Sequence, residues 1–550
     1  MESFDYVIVG AGSAGSVLAN RLSEDETVSV CVLEAGPRDW HPFIHIPAGF
    51  MYTLVDPKVN WLYTSEPSEW TGGRRIAAPR GKTLGGSSSI NGHIYNRGQR
   101  LDFDGWAQRG NRGWGYADVL PYFRRTERRI AHEIDDAFRG RDGNLPITDL
   151  DWRDPLCEAF IEGAVEMGIP RNRDYNGTQQ AGVSYVQRII RNGRRISAAR
   201  GYLHPAMKRP NLTVRTLAHA TAIVLDGKKA VGVRYRKGGR NGPQVEVRAR
   251  REVILSGGAV NSPQLLQLSG IGPAPLLQSL GIPVQHALAG VGENLRDHYA
   301  PRFVARVKNA ETINEKSHGL KLAREIVKYA LTRKGILALN PTLIYVFWKS
   351  DEHLDNYDLQ LTFTPASYKE GVQGTLEDEP GMTVTSWQQR PESRGYVRIR
   401  SSDPFQQPII QTNYLTDELD RRVIVAGMKL ARRLLKSAPL APYYDYEDFP
   451  GPKVQSDEEF LAAATQRGTT TFHPGCTCRM GPANNNWAVV DDQLRVHGLQ
   501  GLRVVDASIM PRMISANLNA STMMLADKAS DLIRGKAAPE AVKLPEAAVA

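Results

Sequence analysis

The chain has 550 residues, 41% hydrophobic and 23% charged, with a formal net charge of +10 and four cysteines. That length exceeds one hydrophobic core and implies two or more domains. No run approaches the ~20 apolar residues of a membrane helix, and four cysteines are too few for a disulfide scaffold, which fits a reducing compartment. The first strand begins almost at Met1, so no secretory leader is read there and a cytoplasmic location is expected. Arginines cluster at Arg188, Arg191, Arg194, Arg195 and Arg200 and again at Arg248, Arg250 and Arg251. No interleaved aromatics or nucleic-acid module accompany them. Solvated arginines are the first reading, and peripheral attachment to an anionic membrane is the second.

Taken in chain order, the β-rich run Tyr6-Val7-Ile8-Val9 enters Gly10-Ala11-Gly12-Ser13-Ala14-Gly15, and Ala14 to Leu22 reads as a helix. A second strand, Val28 to Leu33, ends in Glu34, nineteen residues past Gly15. This is a dinucleotide fingerprint in its βαβ setting. Gly10 permits the tight turn, Gly12 lets backbone approach a pyrophosphate, and Gly15 lets the helix pack on the strand. The helix N-terminus offers N–H groups to phosphate, and Glu34 would accept hydrogen bonds from a ribose.

The next informative stretch is Gly81-Lys82-Thr83-Leu84-Gly85-Gly86-Ser87-Ser88-Ser89-Ile90-Asn91. It is not a nucleoside-triphosphate loop, because position 76 is Ile and no strand precedes it. Adjacent glycines and three serines suggest backbone and hydroxyl donors around an anionic or carbonyl-bearing ligand. From Asn211 the pattern turns β-rich up to Leu255. A helix then follows, read with Ser262 as N-cap, Pro263 at its first position and Gly270 at its end. Residues 301–465 have another texture, with an amphipathic helix from Leu320 to Leu331. Alternating strands are read at Asp358 to Phe363, Met382 to Trp387 and Gly395 to Arg400. Past residue 470 the glycine-rich texture returns, and Gly535 to Ala550 reads as a loose tail.

Residues 81–91 and 258–272, Gly-Ala-Val-Asn-Ser-Pro-Gln-Leu-Leu-Gln-Leu-Ser-Gly-Ile-Gly, resemble the two signatures of the glucose–methanol–choline family of flavin oxidoreductases, and the similarity runs from about Phe4 to Ile533. The resemblance implies an α/β (α+β overall) architecture: a Rossmann-like FAD-binding domain with an inserted antiparallel-sheet substrate domain. The discontinuous FAD domain is expected at 1–150, 195–300 and 466–540, the substrate domain at 151–194 and 301–465, and a flexible tail at 541–550. The resemblance assigns the ADP half of FAD to Gly10, Gly12, Ser13, Ala14, Gly15, Glu34 and Ala35, and the adenine contact to Ala220. Thr83, Gly86, Ser87, Asn91, Gly92, His93 and Ile94 follow along the cofactor, with Asp506, Ala507, Asn517 and Asn519 beyond them.

His473 matches the active-site histidine and Asn517 the second active-site residue. The implied reaction oxidises a primary alcohol to an aldehyde. An imidazole suits removal of the hydroxyl proton at neutral pH, and an amide can steady the alkoxide without titrating. The alcohol-dehydrogenase reading takes a quinone-type acceptor, or oxygen. Its rivals are choline-type oxidation and a non-redox FAD-containing lyase on the same scaffold. A quaternary ammonium needs an aromatic cage and a carboxylate. Trp61, Phe347, Trp348 and Phe472 are candidate walls, but no carboxylate is assignable, which favours an uncharged alcohol. Ile90 stands where some relatives tether FAD through histidine, so FAD is expected to be non-covalent.

Other residues are read as decoys. His41 and His45 lack a carboxylate partner in the pattern, so no metal is expected. Cys476 stands where the family has glycine, and Cys476 and Cys478 are read as packing residues. Ser521 and Asp527, which depart from the family pattern, are read as tuning helix geometry. No G-x-S-x-G occurs, which argues against a serine hydrolase.

Overall fold

A computed structural model describes residues 2–372 and 374–544. The apolar runs of the fingerprint build the centre of a seven-stranded sheet. In it Leu212–Arg215, Val30–Leu33, Ser3–Val9 and Gln244–Leu255 lie side by side and parallel. Val30–Leu33 is buried along its whole length, as a strand covered on both faces must be. Gln244–Leu255 does double duty. Its first half pairs antiparallel with Lys229–Lys237, which in turn pairs with Ala218–Asp226. Its second half pairs with Leu502–Val504, so the C-terminal segment returns beside the N-terminal strand.

Helix Ser13–Leu22 packs against helix Leu518–Arg534. Asp527, expected only to tune helix geometry, clamps three helices instead. Its carboxylate accepts from Arg21 Nε at 2.6 Å and from Arg125 Nε at 2.5 Å, Arg125 lying on Tyr116–Thr126.

A second, wholly antiparallel sheet runs Tyr444–Phe449, Arg302–Val307, Gly381–Gln388, Leu359–Thr364, Ile344–Trp348 and Gly182–Tyr185. Helix Glu418–Leu435 covers one face, capped by the Asp417 carboxylate on the Leu419 N–H at 2.9 Å. Gly427 lets it sit close, since a Cβ there would stand 2.8 Å from Leu359 Cδ1.

Three local readings need correction. The strand expected at Gly395 to Arg400 is Gly395–Arg398. It belongs to a small three-stranded sheet with Glu293–Leu295 and Ile409–Gln411, not to the large antiparallel one. Residues 541–544, placed in the flexible tail, lie on the body of the protein: the Val542 N–H donates to the Ala117 carbonyl at 3.1 Å, and Val542 and Leu544 pack on the core. Positions 545–550 of that tail lie outside the described residues.

The helix after Leu255 is Gly258–Leu268, with Pro263 inside it rather than at its start. Ser262 does not cap it; its hydroxyl accepts from the Gly257 N–H and donates to Asp506. Pro263 has no N–H to give the Ala259 carbonyl, and the Thr477 hydroxyl donates to that carbonyl at 2.7 Å instead. Replacing Thr477 with valine strands a buried acceptor. It is expected to lower stability by about 1–3 kcal/mol, measured as a fall in the urea midpoint at unchanged slope.

Candidate active site

One cavity of about 350 Å³ runs from the fingerprint to His473. It opens where Val9, Leu33 and Leu255 end their strands, the carboxyl edge at which α/β sheets hold ligands. The glycines there have distinct duties. A Cβ on Gly10, at φ +99°, would stand 2.5 Å from the Ser256 carbonyl oxygen, and one on Gly15 would stand 1.9 Å from that of Gly10. Gly86 presses on Gly12 from the second glycine loop, its virtual Cβ 2.7 Å from Gly12 Cα. Gly12 itself faces open space: no protein atom beyond its neighbours lies closer than Gly86 Cα, at 3.9 Å, to a Cβ placed there. The two backbones thus leave a groove with room for a pyrophosphate.

Glu34 accepts from the Ala11 N–H at 2.9 Å and the Gly36 N–H at 2.8 Å. Burial pushes its carboxyl up to about 7 against those two donors. Asn519 accepts from the Ser13 hydroxyl at 2.7 Å. Asp506 accepts from the Gly258 N–H and the Ser262 hydroxyl at 2.9 and 2.6 Å, tying the C-terminal strand to the second signature helix. Further along, both ring nitrogens of His93 are buried without a hydrogen-bond partner while the residue lines the cavity. Such orphaned atoms call for a polar ligand.

At the far end a hydrogen-bond chain fixes the tautomer of His473. His298 Nε2 lies 2.7 Å from the Gln389 carbonyl, so it carries the proton. The Nδ1 of His298 is then a lone pair, 3.0 Å from His473 Nδ1. The His473 proton therefore sits on Nδ1, shared with the Thr471 hydroxyl oxygen at 2.8 Å. That leaves His473 Nε2 as the bare nitrogen, and Asn517 Nδ2 donates to it at 2.9 Å. Tyr345 orients the amide by donating to Asn517 Oδ1 at 2.9 Å. Burial keeps both imidazoles neutral: it draws His298 down to about 4, and it draws His473 well below the ordinary range with help from His298 and Arg80.

Of the residues expected along the cofactor, all but Gly15 and Thr83 line this cavity. Thr83 turns away to donate to the Pro37 carbonyl at 3.0 Å. Phe472 lines the cavity beside His473. Phe347 does not: it is fully buried in a separate cluster with Tyr175 and Tyr345. Trp61 lines the cavity but packs on Tyr63 and His219, the neighbour of Ala220, so it belongs to the nucleotide side. His41 has a carboxylate partner after all, Asp56 at 3.0 Å.

Cys476 occupies φ +73° and, like Cys478, is buried and unoxidised. Burial pushes the Cys476 thiol up to about 12, leaving little thiolate for chemistry. Sequence reading missed His298 and Tyr345, which meet His473 and Asn517 only through long-range folding. It also placed Arg195 among solvated arginines. Arg195 is buried and donates to the Ile44, Ser88 and Asn91 carbonyls, bracing the second glycine loop.

Family models described as GMC oxidoreductase match residues 4–300 and 391–526. The oxygen-dependent choline dehydrogenase of Staphylococcus xylosus is 42% identical over 540 residues, 97% of this chain and 95% of that protein. That of Staphylococcus saprophyticus is 43% identical, with the same coverage. Among solved structures, pyridoxine 4-oxidase from Mesorbium loti superposes with TM-score 0.86 at 30% identity, covering 97% of this chain and all of that one. A formate oxidase variant from Aspergillus oryzae gives 0.88 at 28% identity, covering 97% and 98%.

Proposed function

Because this chain belongs to the GMC oxidoreductase family, with FAD as its cofactor, we propose that it oxidises an uncharged primary alcohol to the aldehyde. The observation that carries this reading is the single cavity joining the dinucleotide groove to the His473–Asn517 pair. When bound, FAD supplies the hydride acceptor, and it is held without a covalent tether.

The chain's own residues handle the proton and the oxygen. His473 Nε2, which carries no proton, takes the hydroxyl proton as general base once the substrate hydroxyl displaces the Asn517 amide from its lone pair. Asn517 Nδ2 donates to the developing alkoxide without changing charge. His298 and Thr471 are positioning residues, keeping the ring proton on Nδ1, and Tyr345 positions the amide. A quinone-type molecule, or oxygen, takes the electrons, and peripheral attachment to a membrane belongs to the same proposal.

The charge of the substrate follows from the lining. Among the described residues the cavity's carboxylates are Glu34 and Asp506, both at the nucleotide end. Phe472 and Arg80 stand beside His473, and Phe50, Leu54 and Pro341 line the same cavity. Arg80 donates to the Phe472 carbonyl at 2.7 Å and is drawn down to about 10 by burial. Asp297, bonded to the His473 N–H and facing Arg80, does not line the cavity, so a trimethylammonium group placed there meets no lining anion.

The second reading, choline itself, is favoured by the two staphylococcal relatives. Comparing choline with its carbon isostere, in which tert-butyl replaces trimethylammonium, separates the two. The isostere is expected to show a kcat/KM at least about tenfold higher, some 1.4 kcal/mol of transition-state preference. A preference for choline would reverse the assignment.

A further inference from the structure

The helix Gly319–Thr332 carries its apolar stripe on the wrong side for a surface helix. Tyr329 is its one buried residue and donates to the Gly193 carbonyl at 2.8 Å. Leu320, Val327 and Leu331, spaced to share one stripe of a 3.6-residue helix, point the other way, 81%, 57% and 81% exposed. Cations frame that stripe. Arg324, Lys328 and Lys334 are exposed, as are Arg191 and Arg194 on the adjoining hairpin. Of these five, only Lys328 has a carboxylate partner among the described residues, Glu325 at 3.6 Å.

A second apolar element adjoins the first. Pro42 and His45 share a shallow cleft with Arg194, Tyr329 and Arg333. Next to Pro42, the half-exposed Phe43 ring stacks on the exposed Tyr52 ring, centroids 4.4 Å apart. Phe50 and Leu54, in this same segment, line the catalytic cavity. The apolar, basic face and a wall of the active site are thus built from one stretch of chain.

We propose that this face docks on an anionic lipid surface, with Leu320, Val327, Leu331 and Phe43 in the headgroup–acyl boundary and the arginines and lysines on the headgroups. The proposal deepens the peripheral-attachment reading above by naming the surface. A second copy of the chain is the poorer occupant, because it would press unpaired cations against one another. Docking here would bring the cavity wall to the bilayer, the source of a lipid-soluble acceptor or alcohol.

The test is co-sedimentation of the FAD-loaded full chain with phosphatidylcholine vesicles, with and without phosphatidylglycerol. The anionic vesicles are expected to bind at least about tenfold more protein, less so at high salt. Leu320→Gln with Leu331→Gln, and separately Arg324→Glu with Lys334→Glu, should each abolish most of that binding. Both pairs are exposed, so circular dichroism should be unchanged, and so should flavin reduction by alcohol in solution. Equal binding by wild type and variants overturns the proposal. So does a dimer in size-exclusion chromatography that the leucine pair dissociates, since a second copy would then cover the face. Loss of alcohol-driven flavin reduction with vesicle binding intact would count against the proposed reaction and leave this surface standing.

Discussion

Replacing His473 with alanine is expected to slow reduction of the bound flavin by alcohol about 10²–10⁴-fold, the usual worth of a positioned general base, with FAD still bound. The backbone N–H of residue 473, which donates to Asp297 at 2.8 Å, survives the change, so the loop keeps its course and the loss is chemical. The pH dependence carries the sign of the assignment. His473 must be neutral to act, and burial, His298 and Arg80 lower its pKa below 6.5. The rate is therefore present above that lowered value and falls only as pH drops through it, so the acid limb should lie below pH 6.5. His298→Leu removes the lone pair that receives the His473 Nδ1 proton, and the plateau rate above the limb should fall. Rapid-mixing reduction rates across pH read both effects. A plateau rate unchanged in the His298 variant would remove that ring from its positioning role.

The second large effect concerns the cofactor groove. Gly12 has extended backbone angles, φ −72° and ψ −158°, which valine adopts readily, and its side-chain direction is open. Gly12→Val should therefore fold normally yet fill the space a pyrophosphate needs, weakening FAD binding by about 100-fold or more, roughly 3 kcal/mol. Gly15→Ala should behave in the opposite way. Its Cβ meets the Gly10 carbonyl at 1.9 Å, so the cost falls on the fold, about 1–3 kcal/mol. Flavin content and thermal midpoint, measured on both variants, distinguish a ligand groove from a packing site.

The sequence made the nucleotide end readable because its chemistry is local. A turn, a helix N-terminus and a carboxylate stand within some thirty residues, and each is demanded by backbone geometry. Glu34 and Gly12 both line the cavity at the carboxyl edge of the sheet. The reacting end is less legible, because its partners are gathered from distant segments. His298 reaches His473 across 175 residues, and Tyr345 reaches Asn517 across 172; no periodicity announces either pairing. Phe347 shows the complementary error. Phe347 is expected as a pocket wall, but it shares one face of its strand with Tyr345, two residues away, and that face packs inward. The side chain of Phe347 falls into a core cluster with Tyr345, whose hydroxyl alone reaches the site. Pro263 lies inside its helix rather than at the expected first position for an energetic reason, since a helix interior tolerates proline when another donor, here Thr477, serves the freed carbonyl.

Anaerobic mixing of the FAD-loaded protein with uncharged primary alcohols tests the central claim most directly. At least one alcohol should bleach the flavin's visible band and yield one aldehyde per flavin, and His473→Ala should nearly abolish that bleaching. A flavin that stays yellow with every alcohol, or that bleaches equally in the variant, would contradict alcohol oxidation at the His473–Asn517 pair.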